Sequence, residues 1–338
     1  MEGATRDAIG GGVVKATPSI KVGCELMNGR YEVEHVPVLL GRFLEATQPV
    51  EGEFWLDATF GRGGYSLALL ERGCRVWALD QDEEAARAAK RFEVRWGNHF
   101  CFYRENFRMM KKLFDTAQIP KVDGVIMDLG LSSPQIASAE RGFSFMEDGP
   151  LDMRMDQRQK LTAEEVLNTW SEESLREVIA VYGGERHART LARAIVRRRK
   201  LTPWKRTREL AQLACEIVKT SRASRIHPAT RLFQAIRIAV NDELGALREG
   251  LEGAVVGLKP GGRLAVISFH SGEDRLVKHF MRHHHASYAQ TREGEQNGAL
   301  ALFSKVERWL PDKNEIRDNS RCRSARLRIA YKIGGKYE

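Results

Sequence analysis

Three features of this chain have the residue types and spacing to hold a nucleoside-like ligand. The first is the glycine turn Gly61-Arg62-Gly63-Gly64, placed directly after the apolar run Glu53–Thr59. A turn of this kind brings backbone N–H groups and a helix N-terminus up to a polar ligand. It is not a complete G-x-G-x-x-G, because Ser66 holds the last position, and a glycine turn also serves simply to reach positive φ. The second is Asp80, which closes the run Arg75–Leu79. An acid there accepts both ribose hydroxyls of an adenosine, or caps the next helix. The third is Asp128, which closes Val122–Asp128 and leads into Leu129-Gly130-Leu131-Ser132-Ser133-Pro134-Gln135. Ligands of open α/β sheets bind outside the carboxyl ends of the strands, so the three features together point to one edge and an adenosine-bearing cofactor.

Two further sets stand apart. His270, Glu273 and Asp274 follow the run Arg263–Phe269 and belong to the same edge. Each has the chemistry of a proton acceptor, the acids equally suit a helix cap, and no base is assigned. His279 and His283-His284-His285 have no carboxylate or cysteine at ligand spacing, so no metal site is expected.

These residues need a scaffold, and the hydrophobic pattern supplies one. Strand-like runs at Glu53–Thr59, Arg75–Leu79, Phe100–Tyr103 and Val122–Asp128 alternate with helical stretches at Tyr65–Glu71, Asp82–Arg95 and Phe107–Thr116. That order implies a parallel sheet covered on both faces. About a hundred helical residues follow, with helices expected at Thr162–Thr169, Ser171–Tyr182, Arg186–Arg199, Thr207–Lys219 and Thr230–Glu249. Alternation resumes with Arg263–Phe269, a helix at Glu273–His284 and a last strand at Arg326–Lys332. The expected fold is α/β, a Rossmann-like sheet with an inserted all-helical domain. Its parts are a flexible extension at 1–30, a ligand-binding domain at 31–138 and 241–338, and the helical insertion at 139–240.

Charge sharpens this reading. Arg186 to Arg237 carries 15 Lys or Arg and two acids, Glu209 and Glu216, a charge of +13, while the other 39 bases and 43 acids leave the remainder at −4. Phosphate neutralisation is the natural use of such a segment, although a basic run also serves as a solvated face. Arg193, Arg197, Arg198, Arg231 and Arg237 are candidate RNA contacts, Trp204 a candidate stacking platform and Asn241 a candidate reader of a base edge. A hydrophobic content of 42% fills a core, no run approaches membrane-spanning length, and the five scattered cysteines suit a reducing cytoplasm rather than a disulfide framework.

The runs His35–Leu40 (HVPVLL), Asp57–Gly64 (DATFGRGG), Asp128–Gln135 (DLGLSSPQ), Glu140–Met155 (ERGFSFMEDGPLDMRM), His227–Leu244 (HPATRLFQAIRIAVNDEL) and Ile267–Arg275 (ISFHSGEDR) resemble the ribosomal RNA small subunit methyltransferase H family. The resemblance spans about residues 33–333. It implies a class I methyltransferase domain, S-adenosylmethionine as cofactor, and methylation of a cytidine N4 amine in the decoding region of 16S rRNA. It also implies cofactor contacts at Gly63, Gly64, Tyr65, Asp80, Phe107, Asp128 and Gln135. The partner would be small-subunit rRNA or the 30S particle, with no membrane and with a homodimer left open. Tyr65 stands where the family's turn commonly has histidine, and Gly272 where it commonly has leucine. For the chemistry, Ser133-Pro134 resembles the start of the loop with which amino-methyltransferases hold an amine. The expectation is that Ser133 accepts from the amine while Asp128 holds the cofactor and shapes the loop. Rival readings are a methyltransferase for DNA or protein amines, a dinucleotide oxidoreductase, and a non-catalytic RNA-binding protein that keeps the fold.

Overall fold

The computed structural model describes residues 36–219 and 226–334, all within the unit His35–Glu338. The extension expected at 1–30 and His35 lie outside the described residues. Helix α1 (Leu40–Thr47) precedes β1 (Phe54–Asp57), α2 (Gly64–Leu70), β2 (Arg75–Leu79), α3 (Glu83–Trp96), β3 (Phe100–Tyr103), α4 (Met110–Asp115) and β4 (Val122–Asp128). A short α5 (Ser133–Ala137) opens a helical block of α6 (Ala163–Thr169), α7 (Glu172–Val181), α8 (Ala188–Arg199), α9 (Thr207–Ile217) and α10 (Ala229–Asn241). Helix α11 (Glu243–Gly257) returns to the sheet, followed by β5 (Leu258–Ser268), α12 (Ser271–His283), α13 (Ala286–Ala289), α14 (Arg292–Gln296), β6 (Phe303–Trp309), α15 (Lys313–Asp318) and β7 (Arg326–Lys332).

The sheet runs β3-β2-β1-β4-β5-β7-β6. Strands β1 to β5 pair in parallel, while β7 lies antiparallel between β5 and β6. Both faces are covered, as a parallel sheet requires. Side chains alternate across the pleat. Val125, Met127, Leu264 and Val266 pack under α4, α11 and α12, against Leu113, Leu251 and Val277. Ile126, Ala265 and Ile267 face the opposite layer, with Phe43, Leu69 and Ala85. Asp57, Asp80 and Asp128 thereby reach one carboxyl edge, at the ends of neighbouring strands.

The block between β4 and β5 has an apolar cluster of its own, built from Leu167, Leu175, Leu191, Trp204, Leu210 and Leu232. The segment before α6 joins it through Leu151 and Met153. Two expectations need correction. The single helix expected over Thr230–Glu249 is two, broken at Asp242, whose φ is 45°. The apolar period continues through the break, so the pattern alone does not show it. Trp204 is not available to stack on a base: it is fully buried, its Nε1 donates to the Ile195 carbonyl at 3.2 Å, and the Arg198 guanidinium lies 4.0 Å over the ring. Strand β6 was not anticipated, because FSKVERW interleaves charged residues with its apolar ones. Among the described residues Cys74, Cys101, Cys215 and Cys322 are free thiols, and no helix is long and apolar enough to cross a membrane.

Truncating the buried indole removes a large core volume. Trp204→Ala should therefore cost about 3–5 kcal/mol of stability in denaturant unfolding, whereas exposed Arg197→Ala should stay within about 0.5 kcal/mol.

Candidate active site

The glycine turn and Asp80 meet directly. The Gly61 N–H donates to one Asp80 oxygen at 2.8 Å, and the Asp82 N–H to the other at 2.9 Å. A carboxylate has about four acceptor positions, so lone pairs remain for ligand hydroxyls. Gly61 and Gly63 have φ of +52° and +80°. The chain's own packing also demands glycine here: a Cβ on Gly63 would meet the Phe92 ring at 2.5 Å, and one on Gly64 would meet Pro37 at 2.2 Å. Tyr65 is buried against Phe43, and its hydroxyl donates to the Val38 carbonyl. Its side chain is therefore turned into the core, and only its backbone is left to face a ligand.

Beside this turn lies a second carboxylate, Asp57, fully buried at the end of β1. The Ser66 hydroxyl donates to it at 2.7 Å and the Thr59 N–H at 3.2 Å. Ser66, the residue that breaks the dinucleotide pattern, is thus the donor that satisfies Asp57. Thr59 in turn accepts from the Asp128 N–H at 2.6 Å, which ties the end of β4 to the turn after β1. The Asp128 carboxylate differs from its neighbours: its Oδ1 is buried with no hydrogen-bond partner among the described residues. Burial, reinforced by the negative charges of Asp57 and Glu273, pushes its pKa well above the usual carboxylate range. Burial likewise pushes Asp57 and Asp80 up to about 6.

The loop after β4 is anchored from the other side. Gln135 Oε1 accepts from the Ser132 N–H at 2.9 Å, and its Nε2 donates to Asp82 at 2.7 Å. The Gln135 side chain expected on the cofactor is therefore engaged in fixing the turn that carries Ser133 and Pro134. Asp82 was missed by sequence reasoning. Its carboxylate also accepts from the Glu84 N–H at 2.9 Å and from the buried Arg141 guanidinium at 2.7 Å. Arg141 reaches on to the carbonyls of Arg154 and Met155. A D-x-E start to α3 signals a cap, but nothing local signals a partner 59 residues away. Phe107 sits half-buried, its ring against the backbone of Gly250 on α11.

At the end of β5, Glu273 accepts from the backbone N–H groups of Phe269 and His270, at 2.8 and 3.2 Å. Burial raises its pKa, but the imidazole of His270 and the charge of Arg237 outweigh that and hold it below the ordinary glutamate value. Asp274 is shared by Arg326 and Arg328, which makes it a structural anchor rather than a proton acceptor. Glu243, His270 and Glu273 bring three metal-ligating groups together. Arg237 already holds both Glu243 oxygens at 2.7 Å, so an ion would have to displace a partly buried guanidinium.

The candidate RNA residues separate into two groups. Arg193 and Arg197 are exposed on α8 and Arg231 on α10 is 45% exposed, with Arg193 3.6 Å from Glu172 and Arg231 3.8 Å from Glu185. Arg198, Arg237 and Asn241 are instead engaged internally: Arg198 with Glu209 and Trp204, Arg237 with Glu243. The buried Asn241 accepts from the Met155 N–H and donates to the Met153 carbonyl, both at 2.7 Å. It reads the segment before α6 and leaves nothing for a base edge.

The profile of the MraW methylase family matches residues 32–333. Among curated proteins, the ribosomal RNA small subunit methyltransferase H of Carboxydothermus hydrogenoformans is 44% identical over 309 residues, covering 89% of this chain and 99% of that protein. The protein of the same name from Methylacidiphilum infernorum is 45% identical, covering 89% and 96%. Among solved structures, an rRNA methylase from Streptococcus thermophilus aligns over 86% of this chain and 93% of that one, at 11% identity and a TM-score of 0.39. A putative methyltransferase from Streptococcus mutans in complex with SAH aligns over 87% and 96%, at 12% identity and a TM-score of 0.40.

Asp57 and Asp80 have folded pKa values of about 6, above the ordinary 3.8. The folded state therefore keeps protons that an unfolded chain has released, and stability contributed by these groups is lost as pH rises from about 4 to about 6. A ligand whose hydroxyls donate to Asp80 favours the ionised form. Adenosine-ligand affinity measured by calorimetry should therefore weaken as pH falls through about 6, and Asp80→Asn should lower affinity about tenfold or more at pH 8 while flattening that dependence. An affinity in Asp80→Asn equal to wild type would remove Asp80 from the site.

Proposed function

The chain belongs to the MraW methylase family, and from that premise we propose that its carboxyl edge transfers a methyl group to the N4 amine of a cytidine in the decoding region of small-subunit rRNA. S-adenosylmethionine-dependent methylation of ribosomal RNA follows from the family and from relatives 44–45% identical over nearly their whole length. The choice of the cytidine amine, the cytoplasm as the place and free rRNA or the 30S particle as the substrate are the finer parts of the proposal.

The observation that carries the reading is the unpartnered Oδ1 of Asp128. A buried carboxylate oxygen without a donor is costly, and it sits where the strand ends converge. S-adenosylmethionine, when bound, supplies a methyl group already activated on a sulfonium. Asp80 and the backbone of the glycine turn bind its nucleoside end. Asp128 accepts an N–H of the target amine, which helps localise a lone pair otherwise delocalised into the cytosine ring. The new C–N bond would form as the methyl–sulfur bond breaks, its electron pair staying on sulfur as a neutral thioether, and the nitrogen, now cationic, must lose a proton. Asp128, its pKa raised, is placed to take it. In this reading Asp128 takes the acceptor role expected of Ser133. Ser133 and Pro134 open α5, fixed by the Gln135 bridge between Ser132 and Asp82.

Arg193, Arg197 and Arg231 face solvent on the helical block, Arg193 and Arg231 in long ion pairs with Glu172 and Glu185, and in this reading they offer positive charge to RNA. Their contribution is positional, since phosphate contacts set register rather than read sequence. A methyltransferase for a DNA or protein amine would use the same edge, so the product decides.

Nucleoside mass spectrometry of small-subunit rRNA incubated with wild type and methyl donor should show N4-methylcytidine. Asp128→Ala should lower its formation by about 100-fold or more, the cost of losing one preorganised transition-state contact. A different modified nucleoside, or no methyl incorporation, would overturn the assignment.

A further inference from the structure

Helix α12 begins at the proposed site, where Glu273 lies close enough to Asp128 to raise its pKa. Its two acids are turned inward: Glu273 bonds to the backbone at its own N-terminus, and Asp274 to Arg326 and Arg328. What remains on the outer face is cationic, with Arg275, Lys278 and Arg282 all exposed. At a rise of about 1.5 Å per residue, Lys278 and Arg282 lie roughly 8 and 14 Å along the helix from Glu273.

Strands β6 and β7 add to this charge. Arg308 is the register partner of Arg328. Like charges directly opposite one another in a sheet are destabilising. Arg328 and Val306 line the same cleft as Lys278 and Arg282, and Arg308 is two residues from Val306, on the same side of the pleat. The cleft measures about 380 Å³, and its remaining walls are His285, Ser287, Tyr288 and Thr291. None of its lining residues is a carboxylate. Arg282 lies 5.1 Å over the Tyr288 ring, which holds the guanidinium at the mouth. Asp274 neutralises part of the charge of Arg326 and Arg328. No carboxylate among the described residues lies within ion-pair distance of Lys278, Arg282 or Arg308.

We propose that this cleft between α12 and the β6–β7 edge is a phosphate-binding groove that takes the backbone of the RNA substrate flanking the target nucleotide. The proposal rests on the rRNA reading above and adds a second cationic footprint on the sheet, distinct from that of the helical block. The positive charge of Lys278, Arg282 and Arg308, which no neighbouring acid pairs among the described residues, is offset when a phosphodiester enters. The position of the groove along α12 suits a strand leading away from an extruded base, and three cationic side chains at its walls, Lys278, Arg282 and Arg328, suit a phosphate backbone. An inorganic phosphate would satisfy the same donors, so the test separates the two sources.

The variant is Lys278→Ala/Arg282→Ala/Arg308→Ala in the full chain, all three being exposed side chains outside the proposed catalytic edge. Expected are unchanged affinity for S-adenosylmethionine, kcat at saturating rRNA within about twofold of wild type, and KM for rRNA raised about tenfold or more. The slope of log affinity against log salt should flatten by about 2, at about 0.7 per single-strand phosphate released. A Tyr288→Trp reporter in the otherwise wild-type chain should respond to micromolar single-stranded RNA and not to inorganic phosphate at equal ionic strength. A response to phosphate alone would reassign the groove to a free anion and overturn the RNA reading. If wild type methylates rRNA and the triple variant matches it in KM and salt slope, the groove falls alone. If wild type methylates no rRNA, the reading beneath it falls as well.

Discussion

Burying carboxylates is the constraint around which this protein is organised. Asp57, Asp82 and Glu273 are each less than a tenth exposed at the carboxyl edge of the sheet, with Asp80 and Asp128 beside them. Negative charge in such a place is tolerated only where donors surround it. The chain meets that demand nearly everywhere: Ser66 and Thr59 for Asp57, Gly61 and Asp82 for Asp80, Gln135 and Arg141 for Asp82, Phe269 and His270 for Glu273. The Oδ1 of Asp128 stands outside this arrangement. A buried carboxylate oxygen left open while the other carboxylates at the edge hold donors is ready for a donor from outside.

The same bonds join the helical block to the sheet. Arg141 spans from Asp82 to the carbonyls of Arg154 and Met155, and Asn241 grips the same segment at Met153 and Met155. Gln81 and Asn106 extend the contact to the turn after β3. Residues around the proposed cofactor edge and residues leading into the basic helices thus share one polar network. Removing Arg141 would leave the buried Asp82 carboxylate with its hydrogen bonds from Gln135 and Glu84 but without its counter-charge, as well as loosen this junction.

How much of this was legible in the sequence depended on range. Strands β2, β3, β4 and β7 were read with their observed limits because short apolar runs bounded by turns report local structure. The meeting of Asp80 and Asp128 at one edge was legible because strand limits fix it by topology alone. The internal partners that the sequence does not show share a cause. Trp204 among arginines has the composition of a stacking platform, yet its environment is set by α8 folding back over it. Asn241, Arg237 and Gln135 have side chains suited to a base or cofactor, and the partners that engage them are mostly remote in sequence or lie across a turn. Ser66 looked like a defect in a glycine pattern until its hydroxyl was seen on Asp57. The Arg141–Asp82 pair has no signature in the sequence, since no spacing rule links positions so far apart.

The central claim is that Asp128 supplies the open acceptor at the point of transfer. Single-turnover methyl transfer to rRNA, followed against pH for wild type and Asp128→Asn at saturating methyl donor, tests it most directly. Because burial raises the Asp128 pKa, the wild-type rate should fall as pH drops and the carboxylate gains a proton. Asp128→Asn should be slow at every pH and lack that step. An Asp128→Asn enzyme that transfers at the wild-type rate with the wild-type pH profile would contradict the account.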